Sequence, residues 1–246
     1  MSTFEELAKT VAELKQEVDR LKAARECSNL VGRWLFYAPS CRFEEICSLW
    51  AQHSEGTRIE VHGFIYEGIR GVRQYFLNEN IAHDNLELRK GLMNVQVGTT
   101  EVMEVAEDGE TARATYISPG LETDVYRNRP GFEELVADLG LEEGKAYGKW
   151  AWKKYAFEFI REDGIWKIWR FRQYPFIKTP YERCWTTKLP FPAAAYENNG
   201  SDRVSSSPRW FYGVNAIYPD YDPDPPVQYK NIGDLNGALP FIEESE

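Results

Sequence analysis

Residues 147–176, YGKWAWKKYAFEFIREDGIWKIWRFRQYPF, decide the fold of this chain. Apolar and largely aromatic side chains alternate with polar ones on both sides of the sequence EDG (162–164), which is typical of a tight turn. This alternation predicts two long antiparallel strands, 147–162 and 164–176. Lysine and arginine are interspersed among the tryptophans, so one face of this hairpin is a candidate wall of a binding site.

The segments before this hairpin complete an α+β domain. Apolar residues at helical spacing predict helices at 25–37, 42–52 and 69–80. Alternating polar and apolar residues predict strands at 59–68, 92–105 and 110–120. Helices followed by an antiparallel meander predict a curved antiparallel sheet that wraps around the N-terminal helices.

An N-terminal helix and an insertion extend this domain, which spans residues 24–186. Residues 1–23 predict an amphipathic helix whose apolar residues alternate at spacings of four and three, namely Leu7, Val11, Leu14, Val18 and Leu21. We expect this helix to dock on its own domain or on a neighbouring subunit. Residues 121–145 interrupt the meander as a polar insertion with a short helix, and we expect them to form a lid over the sheet.

Residues 187–246 differ in composition from the rest of the chain. They are rich in proline and in acidic residues, yet aromatic rings are scattered through them. Disordered tails are usually poor in aromatic residues. We therefore expect an extended C-terminal arm that buries its rings against the core or against the adjacent subunit of a homo-oligomer, either a dimer or a trimer.

The composition argues against several classes of function. The chain of 246 residues has a formal net charge of -10, so nucleic acid and anionic membrane surfaces are unfavourable partners. No apolar run reaches the roughly 18 residues of a membrane span, and the polar N-terminus does not resemble a signal peptide. Four cysteines without a CxxC pair and three dispersed histidines predict reduced thiols, a cytoplasmic location and no metal site. The chain also has no glycine-rich phosphate loop, so we expect no nucleotide cofactor.

Two motifs in this order resemble a known family. The sequence FIYEGIRGVRQYF (64–76) leads from a strand into a helix, and EDGIWKIWRFRQY (162–174) closes the sheet. Over residues 24–186, their order resembles the SnoaL-like branch of the nuclear transport factor 2-like (NTF2-like) superfamily. The resemblance implies a cone-shaped α+β fold with a deep apolar pocket. It also implies either a cofactor-independent dehydratase, isomerase, cyclase or lyase, or a binding module.

The resemblance carries few catalytic residues over to this chain. Dehydratases of this type use a helix-borne tyrosine and aspartate with a pair of histidines. Tyr37 occupies the tyrosine position, but the aspartate is missing from FYAPSCRF (36–43) and a sheet histidine is missing near MNVQV (93–97). The long tail and the aromatic content are more similar to a group that acts on lignin-derived diarylpropane diols and releases formaldehyde without a cofactor.

The alternation of side chains within the hairpin predicts a cationic pocket wall. One face of residues 149–160 carries Trp150, Trp152, Lys154, Ala156 and Glu158, and one face of residues 165–174 carries Trp166, Ile168, Arg170 and Arg172. If Trp166 and Ile168 pack on the helices, both arginines point into the same concavity as Lys154. Burial would lower the pKa of such a lysine toward neutrality, which suits general acid–base catalysis.

These considerations predict two groups of site residues. Tyr66 and Lys154 are expected to transfer protons, Arg172 to stabilise an anion, and Tyr37 and His62 are further acid–base candidates. The expected substrate-binding residues are Trp34, Trp152, Trp169, Arg170 and His83. Each has a structural alternative: an edge lysine that reaches water, arginines that pair with Glu158, packed tyrosine rings and hydrogen-bonded histidines.

The predicted function is a cofactor-independent lyase that acts on a small aromatic molecule. Its most specific form is cleavage of a carbon–carbon or carbon–oxygen bond in a lignin-type aromatic diol. The alternatives are a dehydratase or isomerase of a polyketide- or steroid-like substrate, a non-catalytic ligand-binding protein, and an assembly module whose pocket is filled by a tail. Convergence of Lys154, Tyr66 and Arg172 in an open cavity would favour the enzyme.

Overall fold

The computed structural model of the chain describes residues 3–79, 90–126, 133–186, 200–204 and 223–239. His83 and most of the predicted arm, residues 187–199, 205–222 and 240–246, lie outside the described residues.

Four α-helices are present in the described part of the chain. They are α1 (Thr3–Tyr37), α2 (Phe43–Ser48), α3 (Gly68–Arg73) and α4 (Glu133–Leu139), and a π-helical segment (Gln74–Glu79) continues α3. The helices predicted at 1–23 and 25–37 form one continuous helix of 35 residues. Of the predicted insertion 121–145, residues 121–125 belong to β5, and β6 begins directly after it at Ala146.

Eight strands are present in the described residues: β1 (Arg58–Val61), β2 (Phe64–Glu67), β3 (Met93–Gln96), β4 (Thr99–Val105), β5 (Thr111–Val125), β6 (Ala146–Glu162), β7 (Ile165–Pro180) and β8 (Arg203–Val204). They form one sheet in the order β3-β5-β6-β7-β1-β2-β8, and β4 pairs with the first half of β5 on the same edge as β3. The sheet is curved and mixed: β1 and β7 are parallel, and the other described pairs are antiparallel.

The predicted strand 59–68 is a hairpin rather than one strand. His62 and Gly63 form its turn, with φ angles of 55° and 80°. Positive φ at both central residues matches the twist of antiparallel strands and allows a two-residue turn. The turn brings Ile59 opposite Tyr66 and Val61 opposite Phe64.

The helices cover one face of the sheet, called here the helix face, and the opposite face is the outer face. On the helix face, the Trp34 ring of α1 makes edge contacts with Phe157 of β6 and Phe171 of β7, at centroid distances of 5.3 and 4.5 Å. Both phenylalanines are fully buried, at 0% and 2% exposure. Aromatic packing on α1 therefore fixes which side of the long hairpin faces inward.

Two bulges in β7 change the faces that simple alternation predicts. The β6–β7 register shifts between Glu158 and Phe159 and again between Trp152 and Lys153. Phe159 lies opposite Ile168, but Phe157 lies opposite Phe171, so an extra residue of β7 is accommodated between these pairs. A bulge of this kind reverses the alternation of side chains along the strand. Arg170 and Arg172 therefore do not share a face with Ile168.

The described part of the C-terminal arm, residues 223–239, covers the part of the outer face around Arg113. Arg113 of β5 is buried there, and its guanidinium donates hydrogen bonds to the backbone oxygens of Asp234 and Asn236, at 3.0 and 3.1 Å. The same guanidinium lies 4.0 Å from the ring centroid of Tyr229, whose side chain is 1% exposed. This part of the arm thus buries an aromatic ring against its own domain.

Two glycines allow the helix packing to be tested with a matched pair of variants. A Cβ at Gly71 would lie 2.5 Å from the carbonyl carbon of Tyr66, whereas a Cβ at Gly32 has nothing within 4 Å. We expect Gly71→Ala to lower the free energy of unfolding by about 2 kcal/mol, because α3 must move away from β2. Gly32→Ala should raise it by about 0.5–1 kcal/mol, because alanine favours a helix interior. Urea titration measures both, and equal effects would contradict this packing.

Candidate active site

A cavity lies between the second half of α1 and the helix face of the sheet. Its volume is about 110 Å³, which is somewhat less than the ~150 Å³ of an engineered apolar cavity that binds benzene. Aromatic side chains dominate its apolar wall, among them Trp34, Tyr75, Phe76, Phe157 and Phe171. One small ring is therefore the largest rigid group that enters without movement of the walls.

One end of the cavity is polar. It is lined by Asn94, Gln96, Lys153, Tyr155 and Gln173. The Gln96 amide nitrogen donates to Asn94 Oδ1 at 2.8 Å and to Glu122 Oε1 at 3.3 Å, so it links the cavity to a buried carboxylate. The Gln96 side chain lies directly over Gly120, where a Cβ would stand 2.1 Å from its Oε1. Glycine at position 120 is what permits this placement of the amide.

Behind this polar end, three lysines converge on Glu122 of β5. Lys153 Nζ lies 2.7 Å from Glu122 Oε1, and Lys178 Nζ lies 2.8 Å from Oε2. Lys149 Nζ is 3.5 Å from the same Oε2 and 2.6 Å from Asp124 Oδ2. These five residues, Glu122, Asp124, Lys149, Lys153 and Lys178, are called here the lysine cluster.

The lysine cluster is largely buried. The side chains of Lys149, Lys153 and Glu122 are each less than 10% exposed, whereas that of Asp124 is 46% exposed. Because buried charges are costly unless they are paired, the contacts of the ammonium groups with Glu122 and Asp124 stabilise the cluster.

The surroundings shift the pKa values of the cluster in different directions. Burial alone would raise the pKa of Glu122, but Lys153, Lys178 and Lys149 together lower it well below its usual range. Burial would also lower the pKa of Lys153, but the attraction of Glu122 more than offsets this and raises it. Burial lowers the pKa of Lys178 to about 8, and the two neighbouring lysines reinforce this shift. Lys178 is therefore the member closest to losing its proton near neutral pH.

His62 and Tyr155 stand beside the lysine cluster. Burial lowers the pKa of His62 well below its ordinary value, and the charges of Lys178 and Lys153 act in the same direction. The imidazole is therefore neutral at pH 7. Burial raises the pKa of Tyr155, which keeps its phenol protonated as a hydrogen-bond donor. The cavity end thus combines a fixed cation, neutral donors and one readily titrated lysine.

The sequence profile of the SnoaL-like domain matches residues 19–172, which is more than half of the chain. The chain belongs to the SnoaL-like family. The fold of this SnoaL-like protein is the NTF2-like α+β cone, with α1 to α3 packed in the curved sheet. No curated protein matches the chain in sequence.

Among solved structures, several have a similar arrangement at low sequence identity. A hexachlorocyclohexane dehydrochlorinase, LinA-type3 from Novosphingobium barchaimii LL02, is 16% identical over 71% of this chain and 99% of its own, with a TM-score of 0.48. An NTF2-like protein with a cystatin-like fold from Novosphingobium aromaticivorans is 17% identical over 70% of this chain and 90% of its own, with a TM-score of 0.43.

The structure does not bring Tyr66, Lys154 and Arg172 together. Tyr66 is buried on the helix face, with its ring centroid 5.4 Å from that of Tyr75. Lys154 follows the cavity residue Lys153 on β6 and therefore lies on the outer face. Arg172 is also on the outer face, where its Nε lies 3.4 Å from Glu60 Oε2. Tyr66 is thus on one side of the sheet, and Lys154 and Arg172 are on the other.

The other predicted residues have varied positions. Trp34 lines the cavity, and His62 neighbours the lysine cluster. Tyr37 is partly buried at the end of α1, with the Arg42 guanidinium 4.4 Å from its ring centroid. His83 lies outside the described residues, as noted above.

The remaining predicted binding residues do not line the cavity. Trp152 is 45% exposed on the outer face. The Trp169 indole N–H donates to the backbone oxygen of Glu55 at 2.8 Å. Arg170 stacks on Trp169 at 3.8 Å from its ring centroid, and its Nη1 lies 3.2 Å from Glu158 Oε2. Trp169 and Arg170 stabilise the first bulge of β7.

The predicted site residues do not include the lysine cluster or the amides of β3. One signal in the sequence points to the face of Lys153: it also carries Phe157 and Phe159, whose rings are more typical of a buried face than Trp152 beside Lys154. Glu122 falls within the predicted insertion 121–145, and Lys178 lies after the second bulge. No periodicity in one strand reveals a register that depends on two bulges.

Metal-binding groups and membrane-spanning helices are both absent from the described residues. Within residues 3–79, 90–126, 133–186, 200–204 and 223–239, no group of three or more His, Cys, Asp or Glu side chains is placed to hold a metal ion. In the same part of the chain, no helix has the length and apolarity needed to cross a membrane.

The lysine cluster can be tested through stability. Glu122→Gln should lower the free energy of unfolding by about 3–5 kcal/mol at pH 7, because it leaves buried ammonium groups uncompensated. The double variant Glu122→Gln/Lys178→Met should recover part of this loss. Glu44→Gln, which breaks an exposed pair with Arg73, should change it by less than about 1 kcal/mol. Urea denaturation measures all three, and a loss no greater than that of Glu44→Gln would contradict the assigned cluster.

Proposed function

We propose that this SnoaL-like protein is a cofactor-independent lyase that acts on a small aromatic molecule by general acid–base catalysis. The observation that carries the proposal is the position of Lys153. Its ammonium group reaches an aromatic cavity while Glu122 holds it at 2.7 Å in a buried network. A desolvated cation beside an apolar ring site stabilises negative charge that develops on a bound substrate far better than a cation in water does.

The apolar end of the cavity supports an aromatic substrate. Trp34, Phe157 and Phe171 present ring edges and faces to the same space, an arrangement that favours a further ring by offset or edge contact. The volume of about 110 Å³ accommodates one ring. A lignin-type diol with two rings would place one ring here and the other outside this space.

The polar end supports bond cleavage next to an oxygen function. Lysis of an aromatic diol requires a base for one hydroxyl proton and a proton donor for the leaving oxygen. As the hydroxyl proton leaves to the base, the oxygen electron pair forms the carbonyl of formaldehyde and the adjacent carbon–carbon bond breaks. The electron pair of that bond forms a carbon–carbon double bond, and the second hydroxyl takes a proton from the donor and departs as water. Lys153 and the amide groups of Gln96 and Gln173 are positioned to hold the charged oxygen during this step.

Lys178 is the acid–base group of the lysine cluster in this proposal. Its pKa of about 8 lets it release or take up a proton near neutral pH, and it contacts the same Glu122 carboxylate as the cavity residue Lys153. Lys153 keeps its proton, because Glu122 raises its pKa against the effect of burial, and it supplies the fixed positive charge. His62 stays neutral beside the cluster.

The first test of the proposal compares adjacent lysines on opposite faces of β6. The protein is incubated without added cofactor with aromatic diols and with hydroxylated polyketide- or steroid-like compounds, and products and formaldehyde are measured by mass spectrometry. Lys153→Met should lower kcat/KM by about 10²–10³-fold, because it removes the charge that stabilises the oxyanion. Lys154→Met should leave kcat/KM nearly unchanged and serves as the matched control.

Each outcome of this assay has a defined meaning. Cleavage that releases formaldehyde supports the lyase, loss of water alone identifies a dehydratase, and a product of unchanged mass identifies an isomerase. Tight binding without turnover of any compound would support a ligand-binding protein instead. Equal activity of folded Lys153→Met and wild-type protein would move the site away from the lysine cluster.

The second test uses the pH dependence of binding. Lys178 carries its charge below about pH 8 and loses it above, so the cluster loses one positive charge as the pH rises through about 8. Benzoate, an anionic single-ring probe, should therefore bind about tenfold more weakly at pH 9.5 than at pH 6.5. Calorimetric titration measures this. Neutral benzyl alcohol should show no such change, and Lys178→Met should abolish it; a benzoate affinity independent of pH would contradict the assignment.

A further inference from the structure

The first half of α1 carries an exposed apolar stripe. Phe4, Leu7, Val11, Leu14, Val18 and Leu21 form it, and they are called here the heptad stripe. Each of these side chains is between 46% and 77% exposed. Contiguous apolar surface of this kind is uncommon on a monomeric protein and marks an interaction site. The stripe belongs to a different part of the molecule from the proposed active site.

The stripe points away from the domain to which α1 belongs. In a heptad that places Val11 and Val18 at position a and Leu14 at position d, Gln16 and Ala23 occupy position f, on the opposite side of the helix. Gln16 Nε2 donates to the backbone oxygen of Glu107 at 3.2 Å, and Ala23 is buried. The domain therefore contacts α1 from the f side and leaves the heptad stripe uncovered in the described structure.

The residues of the stripe favour a two-stranded parallel arrangement. Valine occupies two of the a positions, at 11 and 18, and leucine occupies all the d positions, at 7, 14 and 21. Side chains branched at Cβ at position a, with leucine at position d, favour two parallel helices. Each such side chain fits the space between four residues of the facing helix. The alternating spacing of three and four residues keeps one seam facing a partner over the whole segment.

The flanking charges are complementary in the same arrangement. Glu17 is at position g and Lys22 at position e of the next heptad, and both side chains are more than half exposed. In a parallel pair, position g of one helix lies beside position e of the following heptad on the other helix. Two Glu17–Lys22 pairs would therefore form across the interface, one on each side. Reversed helices would not place these charges opposite each other.

We propose that a second copy of this chain occupies the heptad stripe, so that two α1 helices form a parallel two-stranded coiled coil. Three heptads are marginal as a free peptide, because helix nucleation is unfavourable. Here the second half of α1 is already ordered against the sheet, with Cys27 and Val31 buried, so the coiled coil extends a helix that is already formed. The parallel orientation places both catalytic domains at the same end of the coiled coil.

Sedimentation of the full chain tests the stripe. Wild-type protein should sediment as two chains, and Leu7→Lys/Leu14→Lys should weaken the association by at least about 100-fold, because four leucines leave the seam. Glu6→Lys/Glu13→Lys introduces lysines at position c of the same heptads and should remain dimeric. Circular dichroism confirms that each variant is folded. A wild-type monomer, a mass of three chains, or a Leu7→Lys/Leu14→Lys variant that dimerises like wild type would overturn the proposal.

Charge reversal tests the parallel orientation. Glu17→Lys alone and Lys22→Glu alone should each weaken dimerisation several-fold, because like charges then face each other. The double variant Glu17→Lys/Lys22→Glu should restore it, because the pairs form again with reversed signs. Restoration distinguishes contact between two chains from a general effect of charge on α1. Single variants without effect, or a double variant weaker than both, would overturn the parallel arrangement.

Discussion

The contact of Trp34 with Phe157 and Phe171 determines how the rest of the molecule is arranged. A strand buries either its odd or its even residues, so the choice of one inward ring fixes every other side chain on that strand. With Phe157 against α1, Lys153 and Lys149 must also face inward on β6. The adjacent Lys154 and Trp152 must face outward. Hydrophobic packing at one end of the hairpin therefore places ionisable groups at the other end.

That placement creates an electrostatic problem that the fold resolves locally. Two inward lysines on β6 and a third on β7 require an anion inside the sheet, and Glu122 on the neighbouring β5 supplies it within 2.7 and 2.8 Å of two ammonium groups. The same carboxylate is contacted by Gln96, which lines the cavity. Burial, charge and cavity chemistry are thus one network, and the positive charge of Lys153 at the cavity is the property on which the proposed activity depends.

Much of the fold follows from local sequence, whereas the site depends on long-range register. The EDG turn at 162–164 and the alternation around it correctly predict the long hairpin, and the family motifs correctly predict the cone. Unbroken alternation predicts the wrong face for Arg170 and Arg172, because a bulge of β7 changes the face there. Trp34 lies on the cavity wall because it is on the side of α1 that packs against β6 and β7. The sequence alone does not show that Glu122 lies opposite Lys149. The connection between β5 and β6 is long, and its length does not determine the register of the two strands.

The C-terminal residues that cover the outer face have a consequence for synthesis of the chain. Arg113 and Glu158 are buried together on that face. The backbone oxygens of Asp234 and Asn236 accept the remaining described hydrogen bonds of the Arg113 guanidinium. More than 120 residues separate Arg113 from these partners in the sequence. During translation, the sheet can form while its outer charges are still hydrated by water, and the outer layer closes only after residues 223–239 have left the ribosome. Until then, Arg113 lacks two of its hydrogen-bond acceptors, and this part of the outer face stays open to water.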